Sequence, residues 1–395
     1  MKKFIAMLLA ALMVVSMFAG CGAKEEAPAA NADAPAAEAP ASAIKLGMCG
    51  PLTGGAAVYG TAVQAGMQIA VEEINAKGGI QFELNTQDDE HDTEKAANAY
   101  NALKDWGMQI LYGCTTTGSC VAVAGESYSD RYFQLTPSAS STDVTAGKDN
   151  VFQMCFTDPN QGIAAADYVK ANGLGTKLAV LYNNSDAYST GIATAFIARA
   201  KELGMDIVAE VTFPDDKNTD YSTQLNQAKD AGADMMFLPI YYTPASLMLA
   251  QAKDMGYAPT FFGADGMDGI LALDGFDASL AEGLMLMTPF NATATDERTQ
   301  NFVKAYTEKF GTDLLNQFAA DGYDCIYAIY EACQKNGITA DSKPAEICDK
   351  LIATFTAADF KIDGLTGTGM GWTTAGEISK TPMVVQIVDG AYVTK

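Results

Sequence analysis

The sequence holds one histidine, His91, within Asp88-Asp89-Glu90-His91-Asp92, the densest run of groups able to ligate a metal or carry a proton. A single histidine excludes an HExxH zinc site and leaves any Ser-His-Asp triad dependent on that residue, and no GxSxG elbow accompanies it. The run lacks the glycine and closing glutamate of a calcium loop, so it reads as a solvated loop just past a strand end. Gly364-Leu365-Thr366-Gly367-Thr368-Gly369-Met370-Gly371 has no GK[ST], does not fit GxGxxG and leads into no amphipathic helix; a turn or crossing fits it better than a phosphate cradle. Paired carboxylates are too common in so acidic a chain to mark a glycosidase dyad, and Trp106 and Trp372 read as packing residues. Binding is therefore expected rather than catalysis, with no enzyme activity, no cofactor and no metal.

The cysteines are Cys21, Cys49, Cys114, Cys120, Cys155, Cys325, Cys333 and Cys348. Cys21 closes Phe18-Ala19-Gly20-Cys21, after the positive Lys2-Lys3 and an uncharged apolar run from Phe4 to Phe18. That pattern resembles a bacterial lipoprotein signal ending in its lipidated cysteine, and the run is short for a membrane span. Residues 1–20 are expected to be a signal peptide. Residues 21–43, rich in Ala, Pro and Glu, are expected to be a lipid-anchored flexible tether. Removing Cys21 from the count leaves an odd number of thiols, so at least one is unpaired; Cys114 and Cys120 are close enough in sequence to pair. No CxxC of zinc or redox spacing occurs, and most of these cysteines are expected to be small core residues.

Formal charge is −23, with 25 basic and 48 acidic residues, and it becomes −25 when Lys2 and Lys3 leave with the signal. Such a surface repels nucleic acid and anionic lipid, and the body carries no basic patch to reverse that. A body of about 350 residues is too large for one ordinary core and suits two lobes. It opens with a strand-like Ile44–Met48, a turn at Gly50–Gly55, and a helix near Val58–Asn75 whose Tyr59, Val63, Met67, Ala70 and Ile74 share one buried face. Strands follow near 82–86, 109–112 and 132–136, with helices near 93–106 and after Cys120. A second set has helices near 161–171, 189–203, 221–231 and 244–255 and strands near 177–182, 207–213, 235–240 and 284–290. Helices near 299–310 and 318–334 and a strand at 383–388 complete the chain. The alternation predicts an α/β fold of two doubly wound, Rossmann-like lobes, each with its site at the carboxyl ends of its strands and a cleft between them.

Gly50-Pro51-Leu52-Thr53-Gly54 with Tyr59-Gly60, then Gly66, Ala70-Val71-Glu72-Glu73-Ile74-Asn75 and Gly78-Gly79-Ile80, resembles the opening of the leucine/isoleucine/valine-binding protein family, type I periplasmic binding proteins. The likeness continues through Asp88-Asp89, Thr136-Pro137-Ser138-Ala139-Ser140, Gly263-Ala264-Asp265-Gly266 and Phe318–Tyr323. It implies two lobes joined by three crossovers that close on a ligand like a hinged trap. The crossings are expected near Phe156–Asp158, Thr288–Phe290 and Gly369–Trp372, giving lobe 1 as 44–157 and 289–370 and lobe 2 as 158–288 and 371–395.

Carried over residue by residue, the resemblance implies that the hydroxyls of Thr117 and Ser140 hold a ligand carboxylate. Ser138 would present its carbonyl to the ammonium, and Asp265 would stand where the family commonly has a glutamate as counter-ion. Tyr59, Tyr188, Tyr242 and Phe318 would surround the side chain. A zwitterion taken out of water needs donors for one end and an anion for the other, and this set supplies both. The expected function is a lipid-anchored, extracytoplasmic receptor delivering an aliphatic or branched-chain amino acid to an ABC permease, working as a monomer. The alternative is the same fold binding an amide, urea, an aromatic acid or a short peptide, as transport receptor or sensor.

Overall fold

Short, unbroken apolar strands that alternate with helices can bury both faces only inside a layered α/β lobe, and this chain builds two. The computed structural model describes residues 42–214, 217–312 and 315–395. The expected signal peptide, Cys21 and the tether up to residue 41 lie outside the described residues. The first sheet comes from β1 (Ile44–Gly50), β2 (Phe82–Asp88), β3 (Ile110–Gly113), β4 (Gln134–Thr136) and β5 (Val151–Gln153), all parallel, in the order β2-β1-β3-β4-β5. Between them run α1 (Ala57–Ala76), α2 (Thr93–Trp106) and α3 (Thr117–Asp130).

After α4 (Asp158–Asn172) the pattern repeats with β6 (Lys177–Asn183), α5 (Ala187–Glu202), β7 (Asp206–Phe213), α6 (Ser222–Asp230), β8 (Met235–Leu238), α7 (Tyr242–Asp254), β9 (Thr260–Gly263) and β10 (Met285–Thr288). These strands are parallel in the order β7-β6-β8-β9-β10, the first sheet's order with one extra feature. An antiparallel hairpin, β11 (Met383–Val388) and β12 (Ala391–Thr394), extends the sheet beyond β10. In both lobes the strand order reverses beside the first strand, which opens a crevice at the carboxyl edge.

Three helices, α8 (Glu297–Phe310), α9 (Gln317–Asn336) and α10 (Pro344–Phe355), return to the first lobe. There α9 lies against α1 at backbone distance. A Cβ on Gly66 would sit 1.9 Å from the Ala319 carbonyl oxygen, and one on Gly322 would sit 2.6 Å from that of Val63. The second lobe uses the same device where Gly162 of α4 meets the Ile192 carbonyl of α5, at 2.5 Å from its would-be Cβ.

Two expectations need correction. The helix expected after Cys120 begins at Thr117, because Thr116 is already extended (φ −98°, ψ 150°) and acts as its N-cap; the poor helix formers Thr-Thr-Thr-Gly-Ser hide the start. The third crossing does not fall near Gly369–Trp372. Trp372 Nε1 donates to the Gln153 carbonyl at 2.7 Å, Gln153 N donates to that of Gly376 at 2.9 Å, and Lys380 Nζ reaches Asp321 on α9 at 2.7 Å. The chain therefore stays on the first lobe through Lys380 and enters the second sheet just before Met383. The glycine-rich 364–371 segment is a turn pinned by Asp324, whose carboxylate accepts from Leu365 N at 2.7 Å and Thr366 N at 2.9 Å.

The close helix contact makes a testable contrast. Gly66→Ala should destabilise the protein by about 1 to 3 kcal/mol through overpacking, despite the better helix propensity of alanine. Gly125→Ala, on α3 with nothing within 4 Å of the added carbon, should stabilise it by about 0.5 to 1 kcal/mol. Chemical denaturation of the two variants checks both signs.

Candidate functional site

The loops that leave the carboxyl ends of both sheets converge on a small cavity. The first lobe contributes Tyr59 from α1, Thr115, Thr116 and Thr117 from the turn after β3, Ser138 after β4 and Phe318 from α9. The second contributes Tyr188 from α5, Tyr241 from the end of the β8 loop, and Asp265 with Gly266 after β9. Six expected residues thus line the space together: Tyr59, Thr117, Ser138, Tyr188, Asp265 and Phe318.

Ser140 and Tyr242 do not line it. Ser140 is fully buried next to Asp158, whose N–H donates to the Ser140 carbonyl at 2.9 Å. Tyr242 stands behind Tyr59, ring centroids 4.7 Å apart, and its hydroxyl accepts from Val58 N at 3.2 Å. Tyr241 takes the wall position instead, stacked on Tyr188 at 4.8 Å and 9°. It is the extended N-cap of α7 (φ −74°, ψ 160°), and the helix phase begins only at Tyr242.

Tyr59 joins the lobes. Its hydroxyl donates to the Gly266 carbonyl and accepts from Tyr242 N at 3.1 Å, while its ring packs on Phe318 at 4.6 Å. Thr243 Oγ1 adds a further bond across the cleft, to the Gly55 carbonyl at 2.7 Å. The aromatic end of the cavity is therefore rigid, fixed through hydroxyl groups as well as ring contacts.

Around the cavity and just behind its lining, charge and hydroxyls are left over. Asp265 is buried; Tyr188 Oη donates to its carboxylate at 2.8 Å, Asp265 N donates to Gln161 Oε1 at 3.1 Å and Gln317 Nε2 donates to its carbonyl at 3.1 Å. No ion pair reaches its carboxylate among the described residues, and burial raises its pKa to about 6 against the hydrogen bonds that oppose the rise. Asp158, at the start of α4, is buried as well and neither carboxylate oxygen has a hydrogen-bond partner among the described residues. Burial pushes its carboxyl well up; the adjacent Ser140 hydroxyl opposes this without a well-formed bond, and the charge of Asp265 adds to the rise. The hydroxyls of Thr115, Thr117 and Ser140 are buried and likewise without partners among the described residues. Ser138 differs, since its hydroxyl donates to the Thr115 carbonyl at 2.6 Å and braces the turn.

Thr115, Thr116, Tyr241, Gly266 and Asp158 were not among the expected residues. Asp158 precedes Pro159 at a helix start, a pattern that capping alone explains, so only its burial separates it from an ordinary first-turn acid. Two members of the Asp88–Asp92 run, Asp88 and Asp92, prove to be scaffolding. Asp88 accepts from Leu52 N at 2.8 Å and from Thr53 Oγ1 at 2.6 Å, and Asp92 caps α2 through Glu94 N and Lys95 N.

Two facing α/β lobes with a cleft built this way define a substrate-binding protein. The chain belongs to the periplasmic binding protein family, whose model matches residues 43–391. It is 30% identical over 306 residues to Leu/Ile/Val-binding protein homolog 3 of Brucella melitensis, covering 76% of this chain and 81% of that one. A leucine-, isoleucine-, valine-, threonine- and alanine-binding protein of Pseudomonas aeruginosa is 29% identical over 314 residues, covering 78% and 82%. Among solved structures, the branched-chain amino acid transporter substrate-binding protein LivJ of Streptococcus pneumoniae, in complex with isoleucine, superposes with a TM-score of 0.79 at 27% identity, covering 89% of this chain and all of LivJ. A Rhodopseudomonas palustris solute-binding protein in complex with 4-hydroxybenzoate also reaches 0.79 at 20% identity, covering 89% and 95%, and that likeness concerns the fold alone. These relatives are substrate-binding transport proteins rather than enzymes, and membership of the family implies an extracytoplasmic location. No helix among the described residues is long and apolar enough to cross a membrane.

A carboxylate whose folded pKa lies above its unfolded value costs stability once it ionises. The protonated form's contribution is complete below pH about 3.8 and is lost as pH rises through about 6. Asp265→Asn, which keeps an acceptor for Tyr188, should match the parent near pH 4 and exceed it by up to about 3 kcal/mol at pH 8 in the absence of ligand. Denaturant unfolding at the two pH values tests this.

Proposed function

We propose that the chain is the substrate-binding lipoprotein of an ABC importer, holding an aliphatic, branched-chain amino acid in the interlobe cleft and delivering it to the membrane permease. One observation carries the reading: a buried carboxylate with no cation among the described residues, Asp265, shares a cavity with the Thr117 hydroxyl, which has no partner among them either, and a wall of aromatic rings. An α-ammonium matches the first, an α-carboxylate the second, and an aliphatic side chain the third. The helix N-terminus at Thr117 adds free backbone N–H donors and a favourable dipole for the carboxylate. Rings of Tyr59, Tyr188, Tyr241 and Phe318 take the side chain out of water at about 25 cal/mol per Å² of apolar surface. Ser140 then acts from beside Asp158 and Tyr242 from behind Tyr59. The relatives named above as leucine/isoleucine/valine binders support the ligand class, and the lipoprotein-like Cys21 supports the anchor. A ligand bound by both lobes biases the closed state, because only there are all its contacts made at once.

Isothermal titration with leucine, isoleucine and valine should give binding that Asp265→Asn weakens about ten- to a hundredfold, the effect of losing a charge-assisted pair. Unchanged affinity would overturn the ammonium assignment. Because only the ionised form pairs with an ammonium, affinity should be level above pH about 7 and fall as pH drops through about 6, nearing tenfold per unit. A thermal-shift screen in which only amides, urea or aromatic acids stabilised the protein would instead favour a ligand without an α-ammonium. Cys21→Ser should release the protein from membranes while leaving amino-acid affinity intact; fractionation and titration of the released protein read the two effects.

A further inference from the structure

Below the ligand loop, a second cluster of donor groups has no part in the binding just described. Cys49 is the next-to-last residue of β1, Asp89 follows β2 and Cys114 follows β3, so three adjacent strands deliver their carboxyl ends to one point. The two sulfurs and a carboxylate oxygen lie within 4.8 Å of one another, and all three residues are fully buried. Cys49 Sγ lies 3.4 Å from Asp89 Oδ2. A tetrahedral cation with bonds of 2.3 Å to sulfur and about 2.1 Å to oxygen holds such a pair about 3.6 Å apart. The far carboxylate oxygen, Asp89 Oδ1, is held by His91 N at 2.9 Å, which fixes the orientation of the near one.

We propose that Cys49, Cys114 and Asp89 form a binding site for a thiophilic divalent cation, zinc or cadmium in kind. Two thiols and a carboxylate favour such ions over magnesium or calcium, and three protein ligands with water in the fourth position is an established zinc arrangement. Binding displaces the thiol protons to solvent and leaves two thiolates and a carboxylate on the cation. The hydrogen bond from Cys49 to Asp89 is replaced by two bonds to the metal. Cys114 directly precedes Thr115–Thr117, so the cation would tie the base of the ligand loop to the ends of three strands. The spacing hides this site in the sequence, because the two cysteines belong to different strands and form no CxxC pair.

The test uses the full chain with Cys21→Ser, so that this thiol cannot contribute. Dialysis against zinc or cadmium ions should leave one equivalent bound per chain, and zinc-edge X-ray absorption should show two sulfur scatterers. Cys49→Ser, Cys114→Ser and Asp89→Asn should each weaken binding at least tenfold, while Cys348→Ser changes nothing. Circular dichroism confirms that each variant is folded, and the absorption measurement on the unaltered site decides the matter should one fail to fold. No bound cation, a shell of light atoms only, or binding unchanged by loss of Cys49 and Cys114 would overturn the proposal and leave the thiols as small core side chains.

Discussion

A carboxylate kept from water with no cation beside it is among the most costly groups a protein can hold, and the cleft is organised around one. Asp265 receives the Tyr188 hydroxyl, and its main chain is held by Gln161 and Gln317. Tyr188 in turn accepts from Gly266 N at 2.8 Å and stacks on Tyr241. Gln161 belongs to α4, which begins with Asp158 at the first crossing between lobes, and Gln317 opens α9 on the other lobe. The carboxylate is thus fixed in place by both halves of the molecule, and no cation among the described residues neutralises it.

The buried charge elsewhere shows the contrast. Lys380 and Asp321 are almost wholly buried and paired at 2.7 Å, and Asp324 beside them accepts three hydrogen bonds from the Leu365–Thr366 turn. Burial still raises Asp321 to about 7, with the lysine opposing the rise. That group ties α9 to the last crossing and has its partners inside the chain. The two cases separate a structural buried charge from one whose partner must arrive from outside.

The alternation of strands and helices and the two-lobe plan were legible from the hydrophobic period, and six of the cleft's residues were legible only through the family resemblance. The rest was hidden for local reasons. β5, β9 and β12 are three or four residues long, too short for a period to emerge. Tyr241 and Tyr242 differ only in which of two neighbours is the cap, a matter of helix phase. Asp158 resembles any acid in a first turn until its burial is known. The third crossing was displaced by Trp372 and Lys380, whose partners, Gln153 and Asp321, are remote in sequence.

The return of α9 to α1 carries a consequence for how the protein is made. The first lobe is built from two stretches of chain separated by the second lobe, and Gln109 must wait for the Ala340 carbonyl, 231 residues later, to complete its hydrogen bonds. Contacts so distant in sequence form late. While the ribosome is still working, the first sheet lacks one of its covering layers, and the second lacks the hairpin at its edge until the final residues appear. Such a chain does not reach its native fold before synthesis is nearly finished. For a member of an extracytoplasmic family, that delay lengthens the time the chain spends unfolded after it is made.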